Sequence, residues 1–93
     1  MNPIPKLLNA KPLPGHRLLL VFENQETRVF DVSIYLDKGV FTELRDESYF
    51  SKVRAHPHFV SWPHEQDLSR ETLYLRSHLV ANVDEQSLIG EYS

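Results

Sequence analysis

Three histidines set close together, His56, His58 and His64, are the residues best placed by type and spacing to do chemistry. A His-x-His pair on an extended strand turns both imidazoles to one side, and a third ring six residues on could complete a zinc-like ligand set. Two features weigh against a metal. Pro57 interrupts the strand between the first two rings, and no cysteine or well-spaced carboxylate supplies a fourth ligand. The three therefore read as exposed loop histidines, with no metal and no cofactor expected. Ser61, His64 and Asp67 offer nucleophile, base and acid, but they are local in sequence and lack a G-x-S-x-G elbow or comparable scaffold. No triad is expected there.

The charged residues divide in the same way. Asp46/Glu47 and Asp84/Glu85 are adjacent pairs that do not converge without tertiary help, and they read as caps or solvated surface. Neither G-x-x-x-x-G-K-[ST] nor G-x-G-x-x-G occurs, and three glycines in the whole chain make a phosphate-cradling loop an unexpected device. Arg17 and Arg28, with Arg54 nearby, could hold an anion or a partner's acidic segment. The more ordinary reading lays their stems over a sheet and pairs them with Glu or Asp. Asp31 reads as a cap for the turn that follows it.

Composition narrows the field. The chain has 93 residues, 41% of them hydrophobic, which suits one real core and argues against disorder. A formal charge of −3 lacks the basic stripe of a nucleic-acid binder, so direct nucleic-acid contact is not expected. The absence of cysteine removes disulfides, thiolate nucleophiles and iron–sulfur clusters together and fits a reducing compartment. The Met1–Lys6 stretch has no long apolar region of a signal peptide, and the longest apolar run, Leu18–Phe22, is too short to cross a bilayer. A cytoplasmic, non-enzymatic domain with no membrane contact and no evident small-molecule substrate is the expectation.

The stretch Pro12–Val32, PLPGHRLLLVFENQETRVFDV, must position everything else. It reads as a β-hairpin of two apolar-rich arms. With Asn24 and Gln25 as a two-residue loop, Phe22 faces Thr27, Leu20 faces Val29 and Leu18 faces Asp31. Arg17, Leu19, Val21, Arg28, Phe30 and Val32 then share the other side. From that face Arg17, Leu19, Val21, Arg28 and Phe30 form the candidate interaction surface. Lys6–Lys11 reads as a preceding strand, joined through the Leu13–His16 turn to make a three-strand meander.

Later segments must cover the hairpin, since a lone hairpin is marginal in water. Ser33–Gly39, Val40–Leu44 and Asp46–Val53 read as short helical turns that press Phe41, Leu44, Tyr49, Phe50 and Val53 onto it. Val53–Trp62 returns to strand character, bent or folded back around Pro57, and Trp62 reads as core. Ser69 caps a closing helix over residues 70–78, with Glu71 in its first turn and Leu68 and Leu73 as a hydrophobic staple. The organisation is a single domain over 1–93: a lead-in at 1–5, a core at 6–78, and a helix continuation and tail at 79–93.

The series KPLPGHRLLLVFENQETRVFDV, YLDKGVFTELRD and FSKVRAHPHFVSWPHEQDLSRETLY resembles a family of small bacterial domains, domain of unknown function 2442. The resemblance spans roughly Lys6–Tyr74. It implies a compact α+β domain, similar to the amino-terminal domain of a helix-turn-helix regulator, and a place in two-gene, toxin–antitoxin-like arrangements. Gln25 stands where family members often have glycine, and Arg70 where they often have proline. About fifteen residues follow the closing helix, too few for a helix-turn-helix module, so DNA binding does not carry over. The expected fold is thus α+β, a small antiparallel meander covered on one face by short helices. The expected function is a protein–protein interaction or accessory module, by partner binding or self-association, using a sheet edge or the open hairpin face. A nucleic-acid-associated regulator acting through a partner is the alternative.

Overall fold

Apolar-rich segments build the first three strands, β1 (Leu7–Leu13), β2 (Arg17–Phe22) and β3 (Thr27–Asp31), which run antiparallel as the expected meander. The structure, a computed structural model, describes residues 3–80. Four three-residue strands follow: β4 (Arg54–His56), β5 (Phe59–Ser61), β6 (Asp67–Ser69) and β7 (His78–Val80). They complete one sheet of order β1-β2-β3-β7 and a second of order β4-β5-β6, antiparallel throughout. The result is an α+β fold.

The hairpin register differs from the expected one by a residue. The loop is Glu23-Asn24-Gln25: Phe22 N–H donates to the Glu26 carbonyl at 3.0 Å, and Gln25 N–H donates to the Phe22 carbonyl at 3.0 Å. Leu18 therefore faces Phe30, Leu19 faces Val29 and Leu20 faces Arg28. A two-residue type I′ loop needs two residues at positive φ, whereas a three-residue loop needs only one, after a right-handed turn. Gln25 takes that one position at φ +71°, and the Asn24 side chain supports it by accepting from Glu26 N–H at 3.1 Å. The β5–β6 connection repeats the device. Trp62 N–H donates to the Gln66 carbonyl at 3.0 Å, Glu65 N–H donates to the Trp62 carbonyl at 3.0 Å, and Glu65 sits at φ +73°.

This register places Leu18, Leu20, Phe22, Phe30 and Val32 on one face, where they form the main core with Leu44, Tyr49, Phe50, Val60, Trp62, Leu68 and Leu73. Half of the cover was legible as short helical pieces: 3-10 turns at Ser33–Tyr35 and Gly39–Arg45, α1 (Glu47–Phe50) and α2 (Arg70–Leu75). Asp31 accepts from Ser33 N–H at 2.9 Å, and Asp46 caps α1 by accepting from Ser48 N–H at 3.0 Å. Ser69 caps α2 by accepting from Thr72 N–H at 3.2 Å, as its position implied. The other half of the cover is the second sheet, whose β4–β5 hairpin around Pro57 was expected and whose third strand, β6, was not. It turns Ala55, Val60 and Leu68 inward. Trp62 is core, its indole N–H donating to the Phe50 carbonyl at 2.9 Å.

The closing helix is shorter than expected. It ends at Leu75, Arg76 leaves helical geometry at φ −108°, and residues 78–80 pair as β7 with Thr27–Val29. The pairing gives the outer edge of β3 a partner that a continuing helix would have left unmet. The tail expected beyond residue 80 lies outside the described residues. On the second face of the four-stranded sheet Leu13, Leu19 and Val29 are buried, packed with half-buried Val80.

Edge strand β1 resists the addition of another strand. Pro12 offers no N–H, Lys11 adds charge, the pairing bulges between Leu7 and Asn9, and Leu7 N–H already donates to the Pro57 carbonyl at 3.0 Å. Gln25 and Glu65 carry side chains that left-handed geometry disfavours by about 1–2 kcal/mol. Gln25→Gly and Glu65→Gly should each stabilise the fold by about 0.5–1 kcal/mol once glycine's entropy is counted. Urea unfolding midpoints test this, and a fall in midpoint for both variants would refute the loop assignment.

Candidate functional site

The residues with chemical potential fall into separate neighbourhoods. His56 Nε2 lies 3.0 Å from Ser61 Oγ, and its ring stacks on Phe59 at 4.3 Å. His58 occupies the β4–β5 turn, where its carbonyl accepts from Arg70 N–H at 2.9 Å. His64 sits in the β5–β6 loop, its Nδ1 2.6 Å from Glu43 Oε2, with its ring stacked on Tyr49 at 5.2 Å. Among the described residues no three His, Asp or Glu side chains gather in a group able to hold a metal ion. Ser61 and Asp67 do face each other across β5 and β6, but His64 turns away to Glu43 and it is His56 that meets Ser61.

The proposed interaction set is divided by the register. Arg17, Leu19 and Val21 lie on the face of Val29 and Asp31, whereas Arg28 and Phe30 lie on the main-core face. Phe30 is 1% exposed and Leu19 4% exposed, so neither presents itself to a partner. The Arg17 guanidinium donates to the Pro14 carbonyl.

Arg28 is the centre of a built polar network. It stands opposite Leu20 on a core-facing row, where an unpaired guanidinium would be costly. Its Nε donates to Ser77 Oγ at 2.6 Å, its Nη2 to the Ser77 carbonyl at 3.1 Å, and its Nη1 to Glu26 Oε1 at 2.6 Å. The guanidinium also lies 4.5 Å from the Tyr74 ring centroid. Tyr74 packs edge-on against Phe22 at 5.1 Å and donates its hydroxyl to Glu26 Oε2 at 2.8 Å, where Asn24 Nδ2 also donates at 2.7 Å. Glu26 and Arg28, two apart on a strand, could have been paired from sequence because they share a face. Nothing in the sequence marks Tyr74 and Ser77 as their partners.

A second network joins four side chains at the opposite layer. Tyr49 donates its hydroxyl to Gln66 Oε1 at 2.7 Å, and Gln66 Nε2 donates to Glu43 Oε1 at 2.9 Å and to the Val40 carbonyl at 3.0 Å. His64 N–H closes the ring by donating to the Tyr49 hydroxyl at 2.8 Å. Gln66, 2% exposed, escaped notice because it stands in a run of polar loop residues.

A large concavity adjoins the first network. It is an open groove of ≈ 860 Å³ lined by the apolar Pro3, Ile4, Pro5 and Leu75, by Tyr74, and by the polar Glu23, Asn24 and Glu26. Leu75 is 70% exposed there. The Glu23 carboxylate has no hydrogen-bond or ion-pair partner among the described residues. The arrangement can hold an extended apolar segment and place a cation at its rim.

Fold and site together define a small α+β domain with two antiparallel sheets and a polar-rimmed groove. The chain matches, over residues 7–78, the family described as "Protein of unknown function (DUF2442)", and it belongs to that family. No curated protein and no solved structure matches it. No helix of the described chain is long and apolar enough to cross a membrane.

The Tyr74 hydroxyl foremost, then the Arg28 guanidinium and the Asn24 amide, hold the Glu26 carboxyl below the usual carboxylate range, against an opposing push from burial. A carboxyl that ionises more readily when folded contributes stability above its unfolded value, about 4.3, and loses it as pH falls through the lower folded value. The stability difference between the wild type and Glu26→Gln should therefore be largest near neutrality and close as pH falls below the usual carboxylate range and through the lowered folded value. Urea titrations across that range measure it, and a gap that stays constant would contradict the network.

Proposed function

We propose that this domain is a protein-interaction module, and that it grips a partner segment in the groove between residues 3–5 and the corner formed by the 23–25 loop and α2. The groove carries the reading: at ≈ 860 Å³ it combines an apolar lining of Pro3, Ile4, Pro5 and Leu75 with the carboxylates of Glu23 and Glu26. Its preferred occupant is a segment with an aliphatic residue beside a lysine or arginine. The aliphatic side chain would pack on Ile4, Tyr74 and Leu75, and the cation would meet Glu23 and Glu26. The chain's net charge of −3 favours such a partner over a second copy of itself. Glu26 is held by three donors before any partner arrives, which spares the cost of ordering it on binding. The blunted edge of β1 argues against strand addition as the main device.

The two-gene, toxin–antitoxin-like arrangement that the family resemblance carries would supply one source of such a partner. The likeness to an amino-terminal domain of a helix-turn-helix regulator fits an accessory role of the same kind. The alternative, a nucleic-acid-associated regulator, becomes the favoured reading only if nucleic acid co-purifies through moderate salt.

Leu75→Glu and Glu23→Lys change exposed groove residues and should leave the fold intact. Each is expected to weaken a stoichiometric partner by about tenfold or more, roughly 1.4 kcal/mol. Ile34→Glu, an exposed residue beyond the far end of β3, should leave binding unchanged. Tagged purification followed by calorimetry on the recovered complex reads these effects. A partner held equally by all three variants would refute the groove.

A further inference from the structure

The outward face of the second sheet carries a pocket distinct from the groove. With Ala55, Val60 and Leu68 turned to the core, the pairing of the three strands lays out two cross-strand rows on the other side. Arg54, Ser61 and Asp67 form one row, and His56, Phe59 and Ser69 the other. At the Arg54 end the face meets the Trp62-Pro63 corner, and a pocket of ≈ 360 Å³ opens, lined by Arg54, His56, Ser61, Trp62 and Pro63.

We propose that this pocket binds a phosphomonoester, with the phosphoryl group on Arg54 and Ser61 and with His56 orienting the Ser61 hydroxyl. Three observations converge on an anion. Arg54 makes no hydrogen bond or ion pair with any described residue, so its five donors are uncommitted beside a concave surface. The Ser61 hydroxyl and His56 Nε2 are half-buried and held 3.0 Å apart, and the stack of His56 on Phe59 at 4.3 Å fixes the imidazole plane. An anion selects the arrangement in which Nε2–H donates to Ser61 Oγ, because the hydroxyl proton is then released to donate into the pocket. The two arms of the guanidinium fork and the released hydroxyl, oriented by the imidazole, present three donors and suit the three terminal oxygens of a phosphoryl group better than the two of a carboxylate. The pocket is also larger than a bare phosphate fills, and the wall of Trp62 and Pro63 offers apolar contact to the organic body.

Asp67 is the one carboxylate placed directly opposite Ser61, and it lies outside the pocket lining. Its charge opposes an anion at Ser61 and should lower affinity without abolishing it.

The test is a titration of the intact chain followed by ¹H–¹⁵N NMR, with glycerol 3-phosphate and inorganic phosphate as probes and sodium chloride at matched ionic strength as control. Glycerol 3-phosphate is expected to give saturable shifts centred on Arg54, His56, Ser61 and the Trp62 indole. These should weaken about tenfold in Arg54→Ala, whose residue is exposed and dispensable to the fold, and tighten about threefold in Asp67→Asn. Inorganic phosphate should bind the same residues more weakly. The proposal is overturned by shifts that chloride reproduces, by unchanged affinity in Arg54→Ala, by loss of affinity in Asp67→Asn, or by inorganic phosphate binding as tightly as the ester.

Discussion

Side chains on a strand alternate with period two, so one residue more or less in the 23–25 loop decides which half of β3 meets the core. The third loop residue moves Phe30 and Val32 onto the face of Leu18, Leu20 and Phe22, and much else follows from that shift. Arg28 is brought to the rim of the same face, where it needs anionic and carbonyl partners; Glu26 and Ser77 supply them. Tethering Ser77 beside β3 in turn lets residues 78–80 pair as β7. The hairpin turn thus sets the end of α2 as well as the shape of the acidic groove wall.

The two polar networks do a job that apolar contact alone does poorly at this size. A domain of this length buries a modest share of its surface, and its short helices have little stability of their own. Arg28 with Glu26, Tyr74 and Ser77 ties the hairpin to α2, while Tyr49 with Gln66, Glu43 and His64 ties a 3-10 turn and α1 to the second sheet. No buried side-chain nitrogen or oxygen among the described residues lacks a partner. Satisfied networks in a low-dielectric setting specify one arrangement of segments that hydrophobic packing would leave freer to slide.

Local signals made much of this legible in the sequence. Ser69 and Asp46 announced their caps, the Pro57 turn its hairpin, and the spacing of Phe41, Leu44, Tyr49 and Phe50 its apolar cover. What escaped depends on contacts that no local pattern encodes. The register turned on whether Gln25 would accept positive φ, which its side chain opposes and the loop geometry demands. The strand at 67–69 was hidden because its three residues also serve as the approach to a helix. The groove draws on residues 3–5, 23–26 and 74–75, so its walls were not recognisable until the chain had folded. The histidines read as exposed loop residues and fall in three neighbourhoods, but His56 is half-buried on β4, because Pro57 turns the chain only after it.

Trp62, the only tryptophan, stacks at 5.8 Å on Phe50 and lines the pocket on the second sheet while taking no part in the groove. Its indole is accordingly a built-in optical reporter with a defined field of view. Buried and hydrogen-bonded, it should emit at short wavelength in the folded chain and shift to the red on unfolding. Quenching without that red shift would report events at the Arg54 end of the molecule, and silence would accompany events in the groove. A single unlabelled sample can therefore distinguish which of two surfaces has been engaged.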